Sequence, residues 1–139
     1  MPDIGKSDAK TKKVILAVDN IIVDLRTVRN ALDKFYEVKV VKSSGQALLV
    51  LASSKVDLIL LDIEMPGMSG FDVLEMIKKI PSIRNILVIF VSSHVSVELI
   101  SQALKHGAVD YVVKPFDPGL LRGIFFEVRI LRRKNFVRG

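Results

Sequence analysis

The sequence predicts an α/β fold, a parallel sheet covered by helices, and three observations predict it. Short apolar runs show little polar alternation: Val14 to Val18, Leu58 to Leu61, Ile86 to Val91 and Tyr111 to Val113. Such runs read as strands buried on both faces. Each run stops on one polar group, Asp19, Asp62, Ser92 or Lys114. Between the runs lie stretches of helical period, so strand and helix alternate with short connections. That alternation gives a three-layer sandwich with right-handed crossovers.

The elements follow in order. After the first strand, Ile21 to Tyr36 sets Ile22, Leu25, Val28, Ala31, Leu32 and Phe35 at spacings of three and four, an amphipathic helix. Glu37 to Val41 is the second strand and Gly45 to Ser54 a short helix carrying Ala47, Leu48 and Leu51. Val56 to Leu61 is the third strand. The loop Met65-Pro66-Gly67-Met68-Ser69-Gly70 leads to a helix over Phe71 to Ile80, stopped by Pro81. Ile86 to Val91, a helix from Val97 to His106 ended by Gly107, and Val109 to Val113 come next. Pro118 suits the first turn of a last helix, expected to run to about Lys134. Residues 13–134 thus form one domain, with a basic, disordered arm over 1–12 and a tail or linker over 135–139.

Composition narrows the class. With 139 residues, 50% apolar and 26% charged, the chain supports one globular core. No apolar run approaches the ~20 residues that span a bilayer, and the polar, basic amino terminus is not a secretory signal. The absence of cysteine excludes disulfides and thiolate metal sites and suits a cytoplasmic protein. The net charge of +6 gathers in Lys6, Lys10, Lys12 and Lys13 and in Arg129, Arg132, Arg133, Lys134 and Arg138. These clusters lie at the termini without a nucleic-acid reading motif, so they are expected to be solvated or part of a linker.

Ligands of open parallel sheets bind outside the carboxyl ends of the strands. Asp19, Asp62, Ser92 and Lys114 are therefore expected to converge where a divalent cation can sit beside an anion. Asp62 and Ser92 are 30 residues apart, and Ser92 and Lys114 are 22 apart, each one strand–helix unit. With the segment LLDIEMPGMSG ending at Gly70 and Val113-Lys114-Pro115-Phe116, the chain from about Val14 to Arg132 resembles the receiver domain of bacterial two-component response regulators, in particular the chemotaxis type.

The resemblance implies a flavodoxin-like (βα)5 sheet of order 2-1-3-4-5 and a phosphorylation-controlled switch rather than a turnover enzyme. It implies that Asp62 accepts a phosphoryl group from a histidine kinase, a histidine phosphotransfer protein or a small phosphodonor. Mg²⁺ (or Mn²⁺) would be held by Asp19, Asp62 and the Glu64 carbonyl. Lys114 would pair with Asp62 and then with the phosphoryl group, Ser92 would donate its hydroxyl to it, and the Ser93 N–H would do likewise. Tyr111 is the aromatic ring expected to move inward when Ser92 is drawn to the phosphoryl group. A partner, or a second copy, is expected on the fourth helix, fifth strand and fifth helix. There the adjacent Phe125 and Phe126 lie about 100° apart on a helix, so one is expected to face outward between Arg122 and Arg129.

One position departs from the pattern. Receivers usually carry two adjacent acids after the first strand; here the pair is Asp19-Asn20. An amide keeps an oxygen ligand and removes a charge, so metal affinity is expected to fall unless the Glu64 carboxylate turns toward the cation. A receiver acting without phosphate is the alternative this raises. His94 is expected near the site mouth, gating water, and neither it nor His106 has metal-ligand spacing. Two other classes share features. An FMN binder would need a phosphate-cradling loop where Asp19-Asn20-Ile21-Ile22 stands. A haloacid-dehalogenase-type phosphatase, mimicked by Asp62-Ile63-Glu64, would need a cap or a second acidic cluster after the fourth strand, where Ser92-Ser93-His94 stands.

Overall fold

A computed structural model describes residues 12–124. Five strands, β1 (Val14–Val18), β2 (Glu37–Val41), β3 (Leu58–Asp62), β4 (Leu87–Ser92) and β5 (Asp110–Val113), form one parallel sheet of order β2-β1-β3-β4-β5. Helices α1 (Ile22–Leu32), α2 (Ser44–Ser53), α3 (Gly70–Lys79) and α4 (Val97–Lys105) connect them, and α5 begins at 118–124. This is the doubly wound flavodoxin-like fold expected from the sequence.

Strand residues alternate between two cores, as the pleat requires. Leu16, Val18, Ile59, Leu61, Val88 and Phe90 pack with residues of α2, α3 and α4. Ile15, Ala17, Leu58, Leu60, Ile89 and Val91 pack with Leu25, Val28, Ala31 and Leu32 of α1 and Leu121 of α5. Asp62 shares the parity of Leu58 and Leu60 and so belongs to the α1 side of the sheet. Ser92 shares that of Val88 and Phe90. Registers such as Val18↔Leu61 and Asp62↔Val91 bring the strand ends level.

Several sequence expectations are corrected. The strands are not all buried on both faces: β1 and β3 are, while the sheet edges β2 and β5 are partly exposed. In the first helical stripe Ile22 and Phe35 are exposed, and Tyr36 is buried instead. The reason is that α1 ends at Leu32, whose carbonyl accepts the N–H groups of both Phe35 and Tyr36, so helical spacing no longer applies there. α2 and α3 each start one residue early. Ser43 accepts the Gln46 N–H, and Ser69 and Asp72 cap each other reciprocally. β3 begins at Leu58, two residues late, and β4 spans Leu87–Ser92. The amino-terminal arm up to residue 11, Phe125, Phe126, Arg129 and the extent of the last helix lie outside the described residues.

Candidate functional site

Asp19 directly follows β1, Asp62 and Ser92 are the last residues of β3 and β4, and Lys114 directly follows β5. All four thus stand at one rim of the sheet. Asp19, Asp62 and Ser92 are buried, and the Lys114 side chain is 8% exposed. The Lys114–Pro115 peptide bond is cis.

The two carboxylates are held alike. Asp19 Oδ1 accepts the Ile21 N–H at 2.9 Å, and Asp62 Oδ1 accepts the Glu64 N–H at 3.2 Å. These are side chains bonding their own backbone two residues on. The other oxygen of each then turns to Lys114. Lys114 Nζ lies 2.8 Å from Asp19 Oδ2, 2.9 Å from Asp24 Oδ2 and 3.5 Å from Asp62 Oδ2. The expected Lys114–Asp62 pair is therefore the longest of three contacts. Asp24 lies in the first turn of α1, where in sequence an acid signals no more than a complement to the helix dipole.

Burial, and next the charge of Asp19, pushes the Asp62 carboxyl up to about 6, with Lys114 and the Glu64 N–H pulling the other way. Burial works against the charge of Lys114. Hydrogen bonds to Asp19 and Asp24, then the charges of Asp19 and Asp62, outweigh it and hold the ammonium above its ordinary range. Asp62 is thus a carboxylate short of positive charge, with an oxygen facing the only ammonium placed beside it among the described residues.

Ser92 does not point its hydroxyl into open space. Its Oγ donates to Glu64 Oε2 at 2.5 Å and accepts the His94 N–H at 3.0 Å. His94 Nδ1 stands 3.3 Å from the same Glu64 oxygen. The sequence left the direction of the Glu64 side chain open; here its carboxylate serves Ser92 and His94. Asn20, Ser93 and His94 are exposed. Tyr111 is half-buried and donates its hydroxyl to the His94 carbonyl at 2.7 Å, so it is tied to the loop after Ser92. His106 lies apart from the site, at the end of α4, with its ring 5.5 Å from that of Phe71.

Among the described residues no group of three or more acid, histidine or cysteine side chains is arranged to hold a metal ion. The donor set is nevertheless hard oxygen throughout, and the raised Asp62 carboxyl marks a site that a further positive charge would relieve. In chemistry these residues fit Mg²⁺.

One feature of the backbone brings this rim together. A Cβ on Gly70 would lie 2.6 Å from the Asp62 carbonyl oxygen and 3.0 Å from Ile63 Cα. Only glycine lets the start of α3 approach the end of β3 so closely. The Gly70 N–H donates to the Ile63 carbonyl at 3.0 Å.

Comparison with known proteins agrees with this geometry. Residues 15–125 match the family described as "Response regulator receiver domain". Response regulator PleD of Caulobacter vibrioides is 36% identical over 124 residues, covering 88% of this chain and 27% of that protein. A probable cyclic di-GMP phosphodiesterase of Vibrio cholerae is 39% identical over 108 residues, 78% of this chain and 24% of its own length. The chain therefore spans about a quarter of either relative. It covers 81% of the two-component response regulator ORR3 of Oryza sativa, at 38% identity over 75% of this chain. Among solved structures, the chemotaxis protein CheY4 of Vibrio cholerae superposes with a TM-score of 0.80 at 27% identity, over 85% of this chain and 99% of that one. The helices of the described residues include none long and apolar enough to cross a membrane. With strand order and family match in agreement, the chain belongs to the receiver domains of response regulators.

Proposed function

We propose that the receiver switches through phosphorylation of Asp62, with Mg²⁺ held by Asp62, Asp19 and the Glu64 carbonyl. The observation that carries this reading is the buried Asp62 carboxylate, its pKa raised, beside the Lys114 ammonium at the carboxyl rim of the sheet. Asp62 Oδ2 attacks phosphorus as the bond to the donor nitrogen or oxygen breaks, and the leaving histidine or small-donor group departs with the electron pair. The product is an acyl phosphate, and attack of water on its phosphorus returns the carboxylate and inorganic phosphate. Bound Mg²⁺ would neutralise phosphoryl oxygens.

Lys114 then shifts from its carboxylates to a phosphoryl oxygen as a point charge. Ser92 exchanges the Glu64 carboxylate for another phosphoryl oxygen, with the Ser93 N–H as a further donor. Because His94 binds Ser92 through its N–H and Tyr111 through its carbonyl, movement of Ser92 reaches Tyr111 through one residue. The protein catalyses its own phosphorylation and dephosphorylation and turns over no separate substrate. Its partners are a cytoplasmic sensor histidine kinase or histidine phosphotransfer protein. An effector or a second copy would dock on the α4–β5–α5 face, where Val95, Val97, Leu104 and Val113 are exposed.

Acetyl phosphate or phosphoramidate with Mg²⁺ is expected to add the mass of one phosphoryl group, removed by hydroxylamine. Asp62→Asn is expected to take up none. Equal labelling of that variant would sink the assignment.

A further inference from the structure

Three carboxylates face one ammonium at this rim, and one of them has no role in the scheme above. Asp24 sits on α1, not at a strand end, and its side chain is 19% exposed. An acid in a first turn satisfies the helix dipole while pointing to solvent. Asp24 instead turns inward, and its 2.9 Å contact with Lys114 is as close as that of Asp19, at 2.8 Å. The neighbouring position that would carry an acid in the usual pattern is Asn20, which is exposed.

Asp19 has one free direction. Its Oδ1 accepts the Ile21 N–H, so Oδ2, which faces Lys114, is the oxygen that a divalent cation and the ammonium would share. An ammonium bound only by Asp19 and Asp62 would compete with the cation for both carboxylates. A third carboxylate, that of Asp24 at 2.9 Å, gives the ammonium somewhere to stay.

We infer that Asp24 is a positioning residue that holds the Lys114 ammonium so that Asp19 is released to a divalent cation, restoring the charge count that Asn20 lowers. This rests on the phosphoacceptor reading of the site and specifies how its cation is admitted. Asp24 touches neither cation nor phosphoryl group; it acts through Lys114. The rim then carries three carboxylates and one ammonium, the balance that a second acid after β1 would give.

The test is a double-mutant cycle on Mg²⁺ binding, read by calorimetry and by the amide resonances of Ile21 and Glu64, without a phosphodonor. Asp24→Asn is expected to raise the Mg²⁺ concentration at half-saturation roughly three- to fivefold, the size of one partly exposed ion pair. In a Lys114→Met background the same substitution is expected to change it by less than about twofold, because the coupling runs through the ammonium. Asp24→Glu keeps the charge and is expected to restore binding close to that of the natural chain. It also separates this effect from any loss of helix stability. No change in either background overturns the inference. So does an equal rise in both, which would mean that Asp24 acts on the cation by its own charge, and so does a natural chain that binds no Mg²⁺. Labelling of Asp62 with acetyl phosphate is scored separately. A chain that shows the cycle but takes no phosphoryl group overturns the phosphoacceptor reading and leaves the Asp24–Lys114 coupling standing.

Discussion

Asp62 is ionised at neutral pH against the preference of its surroundings. Its carboxyl, ordinarily near 3.8, titrates at about 6 in the fold. Below pH ~4 it is protonated in both folded and unfolded chains, and it contributes no difference. As pH rises through the window up to about 6, the unfolded chain loses this proton while the folded chain keeps it, so stability falls. Above that window the whole penalty is present. Asp62→Asn is therefore expected to stabilise the metal-free protein progressively more between pH 4 and pH 7. Urea denaturation of both proteins in chelator at the two pH values checks this, and a difference independent of pH would contradict it. The strand-end residues Asp19, Asp62, Ser92 and Lys114 were readable from sequence because the end of a buried strand is a fixed place in a parallel sheet. Asp24 was not, since on a helix the side-chain rotamer decides whether an acid faces water or an ammonium. The direction of Glu64 was hidden for the same reason.

At the scale of elements, the start of α3 is packed closely against the end of β3. Its reciprocal Ser69–Asp72 cap fixes where the helix begins, and Gly70 then sits against the Asp62 carbonyl. Gly70→Ala would drive a methyl into backbone, which has no flexible end to give way. We expect it to destabilise the protein by about 1–3 kcal/mol, the range for overpacking, and to slow Asp62 labelling by shifting β3 against β4. Thermal denaturation and acetyl phosphate kinetics check the two effects; an unperturbed variant would mean that α3 can slide away freely. The loop from Met65 to Gly70 was legible as turn chemistry, but close approach of one backbone to another leaves no mark beyond the glycine itself. Element limits erred where local bonding overrode periodicity. Phe35 fits the stripe of α1 by spacing, yet the chain has left the helix by then and Tyr36 takes the buried place.

Across the whole molecule, the sheet order is the one that the family resemblance implies, and the pleat divides the core into two. Asp62 looks toward α1 and Ser92 toward α3 and α4, so the rim addresses both layers at once. The Ser92–Glu64 bond gives this arrangement a further meaning. A hydroxyl bound to a carboxylate is a charge-assisted bond, worth roughly 1.5–3 kcal/mol. On phosphorylation Ser92 would gain a comparable bond to a phosphoryl oxygen only by giving this one up. Glu64→Ala is expected to lower the beryllofluoride concentration needed for half-conversion by roughly tenfold, since the resting form alone loses a contact. An unchanged midpoint, followed through the Tyr111 resonances, would show that Glu64 does not weight the resting form. Glu64 thus already presents an anion to Ser92, the residue proposed to switch. In the proposed scheme activation is an exchange of one anion for another, and the population of the active form is set by the difference between the two.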